Sequence, residues 1–157
     1  MSAKPRRSKR QMRTIQVWTY DEAKKLVPYL RSVMLSLREH RLAAASGKRD
    51  VKWLDEQPGR PGRRAIIARH EALAREQVAR KQFQEAQEEL EALDIYCLDP
   101  IGGQAVVPFI QRDKLAWFVY DLFDEEPLRF WRFHGDSLET RRPIQELEEQ
   151  PPTTMVA

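Results

Sequence analysis

Three short runs of β-branched and aromatic residues, separated by polar turns, constrain the fold of this chain more than any other feature. They span residues 105–110, 115–120 and 128–133. Runs of this length and composition predict a β-meander. In the middle run, both alternating sets of side chains are apolar, with Trp117 and Val119 in one set and Phe118 and Tyr120 in the other. The sequence therefore predicts a small sheet that has to be covered on both sides.

Two long helices are predicted ahead of these strands. Thr19 and Glu22 have the spacing of a capping box, and Pro28 lies inside the helix that follows, where it predicts a kink. The apolar stripe of this first helix is predicted at Ala23, Leu26, Val27, Leu30, Val33, Met34 and Leu37. Glycine and proline mark residues 46–62 as a mobile loop. The second helix is predicted over about 63–93, with its buried stripe at Ile66, Ile67, Leu73, Ala74, Val78, Leu90 and Leu93.

These elements predict an α+β fold, in which a long antiparallel helical hairpin packs on a small, mainly antiparallel β-meander sheet. Helices of this length reach about 40 Å and are expected to project beyond the sheet as a coiled-coil-like pair. Residues 14–145 are predicted to form a single domain, to which residues 15–18 add a short strand. Residues 1–13 are predicted to be a disordered basic arm, and residues 146–157 an acidic, proline-rich tail.

The composition predicts a cytoplasmic protein without a membrane segment. About a third of its 157 residues are charged (32%), and no apolar run approaches the roughly 20 residues that a membrane-spanning helix needs. Cys97 is the one cysteine, so the chain has no internal disulfide. This fits a reducing compartment.

The positive charge of the chain is concentrated in two segments. The first 13 residues contain six basic and no acidic residues, and without them 21 basic residues face 24 acidic ones. A second group of basic residues surrounds the predicted loop. Such segments are either solvated surface or contacts for nucleic-acid phosphates.

No pattern of catalytic or metal-binding residues is complete, and we predict a non-enzymatic protein without metal or cofactor. A zinc-protease helix would need a second histidine four residues after His70, where Ala74 stands. His70 is expected to be a core or boundary histidine. His134, Asp136 and Ser137 are expected to form a polar turn, because no nucleophile elbow surrounds the serine. Cys97 is expected to be a buried, unreactive thiol.

Several short motifs resemble the bacterial family known as domain of unknown function 2203. They are Trp-Thr-Tyr-Asp-Glu-Ala at 18–23, Leu-Val-Pro-Tyr-Leu-Arg at 26–31, Asp99-Pro100 with Gly103 and Pro108, and Trp131 with Arg-Arg-Pro-Ile at 141–144. The resemblance covers about residues 15–144. It implies the fold and no activity.

Three positions depart from the pattern of that family. Its members typically carry an acid where this chain has Val106, and His-Glu where this chain has Arg132 and Phe133. The resemblance therefore implies that any metal or acid–base role of those polar groups is lost here. It also implies a larger aromatic surface around Phe133.

Two functional hypotheses follow from these features. The first is an assembly module that forms a homodimer, or docks a protein partner, through an exposed side of the sheet. Its predicted interaction residues are Trp117, Phe118, Tyr120, Trp131 and Phe133. The alternative is a nucleic-acid-associated protein that uses the basic segments. Its predicted contact residues are Lys4, Arg6, Arg7, Lys9, Arg10, Arg13, Arg60, Arg63 and Arg64. Lys48, Arg49 and Lys52 belong to the same basic group around the loop.

Overall fold

The computed structural model describes residues 14–147 and confirms the predicted α+β class. The predicted arm (1–13) and residues 148–157 of the predicted tail lie outside the described residues. Helices α1 (Tyr20–Asp55) and α2 (Arg63–Glu91) form a hairpin. A five-stranded antiparallel sheet follows in the order β1 (Tyr96–Asp99), β2 (Gln104–Gln111), β3 (Lys114–Asp121), β4 (Phe130–Phe133) and β5 (Arg142–Pro143). A short 3-10 helix (Ile144–Glu146) ends the described chain.

The three predicted strands are confirmed as β2, β3 and β4, and β1 and β5 extend the sheet at its two edges. The β2–β3 connection is a two-residue turn in which Arg112 (φ 50°) and Asp113 (φ 61°) are both left-handed. Such turns match the twist of a hairpin. The β1–β2 turn is held by the Asp99 carboxylate, whose Oδ1 accepts hydrogen bonds from the backbone N–H groups of Ile101 (3.1 Å) and Gly102 (2.9 Å).

Helix α1 begins as predicted and ends later than predicted. The Thr19 hydroxyl accepts a hydrogen bond from the Glu22 N–H (3.2 Å), and the Glu22 carboxylate accepts one from the Thr19 N–H (3.1 Å), which confirms the capping box. The helix then continues to Asp55, so the loop predicted over residues 46–55 is wrong. Gly47, which the prediction used as a loop marker, is buried inside the helix.

Gly47 lies inside α1 because α2 passes very close to it. A Cβ added to Gly47 would lie 2.9 Å from the Ala72 carbonyl oxygen and 3.1 Å from Glu76 Cβ. The opposing surface of α2 is equally small, with Ala72 and Ala79 buried and seven residues apart. Small residues at this spacing let the two helix backbones approach one another.

The predicted buried stripe of α2 is therefore wrong at several positions. Leu90 is fully buried as predicted, but Val78 is 55% exposed and both Ile66 and Ile67 are also exposed. The physical reason is that alanine, and not the larger aliphatic residues, fills the narrow contact with α1. Ile66, Ile67 and Val78 instead point away from that contact.

The segment before α1 is hydrogen-bonded to the sheet, and residues 14–19 form no strand of their own. The Trp18 N–H donates to the Pro108 carbonyl of β2 (2.9 Å), and the Trp18 indole N–H donates to the Leu93 carbonyl (3.3 Å). The Gln16 N–H is bound by the Asp94 carboxylate (2.8 Å). The predicted strand over residues 15–18 is thus replaced by an anchored extended segment.

The side of the sheet that faces the helices carries the main core. The rings of Phe109 and Phe118 stack at a centroid distance of 3.9 Å, and Trp131 packs edge-on against Phe109 at 5.8 Å. Around them lie buried residues of both helices and the strands: Ala23, Leu30, Met34, Leu37, Leu90, Ile95, Ala105, Val107, Ala116 and Tyr120. This core fixes the lower part of the hairpin on the sheet and leaves the far end of the helices free of strands.

The substitution Gly47→Ala is expected to destabilise the protein, although it replaces glycine by the best helix former. The added Cβ overlaps the α2 backbone, and this overpacking, at about 1–3 kcal/mol, outweighs the gain of about 1 kcal/mol in helix propensity. We expect the free energy of unfolding, measured in urea, to fall by up to about 2 kcal/mol. As a control, Ala45→Gly at an exposed position of the same helix measures the difference in helix propensity between alanine and glycine alone. A stabilising Gly47→Ala would contradict the close contact.

Candidate functional site

The aromatic residues predicted to form an interaction surface are buried within the single chain. Trp117 is 8% exposed and Phe118 is 0% exposed, although they lie on opposite sides of β3. Phe118, Tyr120 and Trp131 belong to the core beneath the helices, and Phe133 is half-buried against it. The expectation of an aromatic side left open to a partner is therefore wrong for these residues.

Trp117 is covered by a neighbour on β2 and by two residues that lie outside the predicted strands. The ring of Tyr96 from β1 packs edge-on against Trp117 at 5.9 Å, and Pro108 is its Cα partner on β2. The Trp117 indole N–H donates to Nδ1 of His134 (3.1 Å), which lies in the turn after β4. This bond satisfies the one polar atom of the indole, so that the ring is accommodated without a partner chain.

The polar turn predicted after β4 is confirmed and is a structural clamp. The Asp136 carboxylate accepts hydrogen bonds from the Arg142 guanidinium (2.8 and 3.0 Å) and from the Phe133 N–H (2.9 Å). The Arg142 bond, followed by the Phe133 bond, holds the pKa of Asp136 below its usual range. The Ser137 hydroxyl pairs with the Thr140 hydroxyl (2.9 Å). His134, Asp136 and Ser137 therefore have separate partners and do not form a catalytic triad.

The six basic residues predicted around the loop lie at the far end of the hairpin. We call this end, residues 48–64, the cationic tip. Lys48, Arg49 and Lys52 lie on the last turns of α1, Arg60 lies in the connecting loop, and Arg63 and Arg64 begin α2. All six are exposed, and none forms an ion pair with another residue of the described range. The cationic tip thus presents charges that no ion pair within residues 14–147 neutralises.

Two acidic residues of the cationic tip are already occupied by other arginines. Asp50 accepts a bond from Arg75 (2.8 Å), and Asp55 accepts one from Arg69 (2.8 Å). The bond and charge of Asp55 raise the pKa of Arg69. These pairs tie the two helices together and leave Glu56 as the remaining acid between residues 48 and 64. The positive charge of the tip is therefore not cancelled locally.

The N-terminus of α2 adds a favourable site for anions. Its N-cap is Gly62, which supplies no side-chain hydrogen bond, and its first turn has no acidic residue. Arg63 and Arg64 stand there instead, at the end where the helix dipole disfavours cations. Free N–H groups with adjacent arginines are suited to a phosphate group. A shallow cleft of about 390 Å³ lies beside them, lined in part by Arg60 and His70.

His70 is exposed at the edge of this cleft, so its prediction as a core or boundary histidine is wrong. The error has the same cause as the error in the buried stripe of α2. His70 was placed on an apolar face that contains Ile66 and Ile67. That face turns out to lie away from α1.

Trp53 is a residue of the cationic tip that sequence reasoning missed. Its side chain is 62% exposed on the last turns of α1, four residues after Arg49 and directly after Lys52. Residues 46–55 were predicted as loop. If they are instead taken as helix, Arg49 and Trp53 fall on one helix face. An exposed indole among cations provides a flat ring on which a nucleic-acid base can stack.

Charge is separated along the hairpin. Outside residues 1–13 and 48–64, the chain has 15 basic and 21 acidic residues. The opposite end of α2 from the tip is acidic, with Glu85, Glu88, Glu89 and Glu91. There the Tyr29 hydroxyl donates to the Glu89 carboxylate (2.6 Å), and burial together with this bond raises the pKa of Tyr29 to about 12. The hairpin therefore has a positive charge at the tip and a negative charge at the opposite end of α2.

Within residues 14–147, no group of three or more His, Cys, Asp or Glu side chains is arranged to hold a metal ion. The same residues contain no helix that is both long and apolar enough to span a membrane.

Comparisons with known proteins found no similar protein. No protein-family model matches the chain. No curated protein is significantly similar to it, and no solved structure is either. The resemblance to the domain of unknown function 2203 family stays a prediction from the short motifs.

Cys97 is expected to react slowly with alkylating reagents. Burial, and then the charge of Asp99, raises the pKa of its thiol from 9.0 to about 11. At pH 8 the reactive thiolate is then about 100-fold scarcer than in an ordinary cysteine. Modification by iodoacetamide, followed by mass spectrometry, should be about 100-fold slower than in the urea-unfolded chain, and its rate should rise about tenfold per pH unit up to pH 10. Equal rates for the folded and unfolded chains at pH 8 would contradict this description.

Proposed function

We propose that this protein is a non-enzymatic, cytoplasmic nucleic-acid-binding protein that contacts phosphates with the cationic tip of its helical hairpin. The observation that carries the proposal is the group of six exposed basic residues, none of which has an ion-pair partner in the described range. Unpaired cations on one projecting end attract a polyanion without recognising its sequence.

Two further features favour a nucleic acid over other anions. The open N-terminus of α2 beside Arg63 and Arg64 is suited to one phosphate of a backbone. The exposed Trp53 offers a stacking surface close to that backbone. Both features favour single-stranded RNA or DNA, because its bases are free to reach the indole ring.

The basic arm takes part in the proposal as a second contact. Lys4, Arg6, Arg7, Lys9, Arg10 and Arg13 add six charges to the same polyanion. Each phosphate contact to a single-stranded nucleic acid contributes about 0.7 to the slope of log K against log salt. Deletion of residues 1–13 should therefore reduce both the affinity and this slope. Binding should persist through the tip.

Replacing Arg60, Arg63 and Arg64 together by glutamine is expected to weaken binding at least about tenfold. The slope of log K against log salt should fall by about 2, since three phosphate contacts are lost. Fluorescence anisotropy with a labelled single-stranded RNA, measured at several salt concentrations, gives both quantities. Circular dichroism checks that the helices are retained.

The matched control replaces three cations that lie elsewhere on the helices. Lys25, Arg31 and Lys81 are also exposed and without ion pairs in the described range, so their change to glutamine alters the net charge equally. The control should lose much less affinity than the tip variant. Equal losses in the two variants, or binding that does not depend on salt, would contradict the proposal. So would binding to anionic lipid vesicles but not to nucleic acid.

Trp53→Ala is expected to weaken binding to single-stranded RNA by roughly 5- to 150-fold, because stacking on one base contributes about 1–3 kcal/mol. Trp53→Phe should recover part of the loss, since it restores an aromatic ring. The exposed position of the side chain predicts a small change in thermal stability for both variants. The salt slope should stay the same. A Trp53→Ala variant with unchanged affinity would remove the stacking contact from the proposal.

Self-association is the second candidate function, and the structure favours the helices over the sheet as its interface. Leu35 and Leu42 are both exposed and lie seven residues apart on α1, which places them on one face of that helix. Sedimentation equilibrium tests for a dimer. If the protein is a dimer, Leu42→Glu should shift it toward the monomer. A wild-type monomer throughout would remove this candidate.

A further inference from the structure

One arginine of the sheet is buried on the side opposite the helices. Arg132 lies in the middle of β4, and its Cα partner on β3 is Trp117. It therefore shares the side of the sheet that Trp117 occupies. The arginine is 5% exposed. A charged side chain is rarely covered to this extent unless it has a partner.

No hydrogen-bonded partner of this side chain is present among the described residues. Nε of Arg132 is the one buried side-chain nitrogen or oxygen of residues 14–147 that makes no hydrogen bond. The carboxylate that acts on it electrostatically, Asp136, is already hydrogen-bonded to Arg142 and to the Phe133 N–H. Burial and the charge of Arg141 both lower the pKa of Arg132. Nε of the guanidinium is thus desolvated and without a hydrogen-bond acceptor, and the charge of Arg141 repels the group.

This arrangement costs stability unless an acceptor is supplied. A buried donor without a partner loses its hydrogen bonds to water and gains none from the protein. A buried cation without a counter-ion costs more. Neither Tyr96 nor His134, which cover the adjacent Trp117, neutralises it: Tyr96 contacts Trp117 with its ring, and His134 accepts the indole N–H through Nδ1. A small anion would supply both the acceptor and the charge.

We propose that Arg132 is the anchor of a binding site for a small oxyanion, a carboxylate or phosphate group, on the side of the sheet that faces away from the helices. The planar guanidinium is suited to two oxygens of such a group. Arg141 supplies a second positive charge at the site. The site lies on the sheet and the cationic tip lies on the hairpin, so this inference does not depend on the proposed nucleic-acid binding.

The test is a titration of the unmodified protein by nuclear magnetic resonance. The arginine Nε–Hε signals are followed as inorganic phosphate, and in a second series acetate, replaces chloride at constant ionic strength. The Arg132 signal should shift and reach saturation with at least one anion, and the more effective anion identifies the preferred geometry. Arg129 is the internal control, because its Nε already donates to Asp124 (2.7 Å). A shift that does not saturate, or an equal shift at Arg129, would overturn the proposal.

Arg132→Met provides a second measurement by thermal unfolding. In chloride alone, the variant should melt at a higher temperature than the wild type, because the unpaired cation is gone. Phosphate or acetate should raise the melting temperature of the wild type by mass action and leave that of the variant unchanged. If the variant melts lower and keeps the anion-dependent rise, Arg132 does not anchor an oxyanion. The titration of the unmodified chain decides the proposal even if the variant does not fold.

Discussion

The close contact between α1 and α2 at Gly47 and Ala72 determines the rest of this structure. A Cβ at Gly47 would overlap the α2 backbone, so only glycine fits this position without a shift of the helices. Because the contact continues through Ala79, the two helices remain packed well beyond the part that covers the sheet. The Asp50–Arg75 and Asp55–Arg69 pairs hold the distal turns together. The hairpin thereby carries a group of basic residues away from an otherwise acidic body.

The sheet shows how a short strand that is apolar on both sides can be covered on both sides within one chain. One side of β3 is covered by the helices, as its sequence predicts. The other side is covered by Tyr96 from an edge strand and by His134 from a turn. Both residues come from segments whose role the sequence pattern did not show. Burial of Trp117 therefore follows from the completed sheet, and it removes the exposed aromatic surface that motivated an assembly role.

Local sequence patterns predicted the elements of this fold better than they predicted its contacts. The capping box at Thr19 and Glu22 and the three central strands depend on neighbouring residues, and they are confirmed. Gly47 was misjudged because a glycine that breaks a helix and one that admits a second helix look alike in sequence. The buried residues of α2 were predicted wrongly for a related reason. Alanine fits the narrow contact between the helices, and the larger isoleucine does not.

The candidate sites were predictable to different degrees. The cations of the tip were visible in the sequence, but their convergence with Trp53 required α1 to extend through the predicted loop. The sequence did not indicate a site at Arg132, because a single arginine within a predicted strand does not show whether it is buried or paired. Its lack of a partner depends on how Asp136 is shared between Arg142 and the Phe133 N–H, which is a property of the folded turn.

The central proposal is that nucleic acid binds at the tip of the hairpin and not at the sheet. Hydrogen–deuterium exchange of the full chain, with and without a single-stranded RNA, tests the claim most directly. We predict slower exchange in residues 48–70 on addition of RNA, and unchanged exchange in β3 and β4. Protection confined to the strands, with none at the tip, would contradict the account.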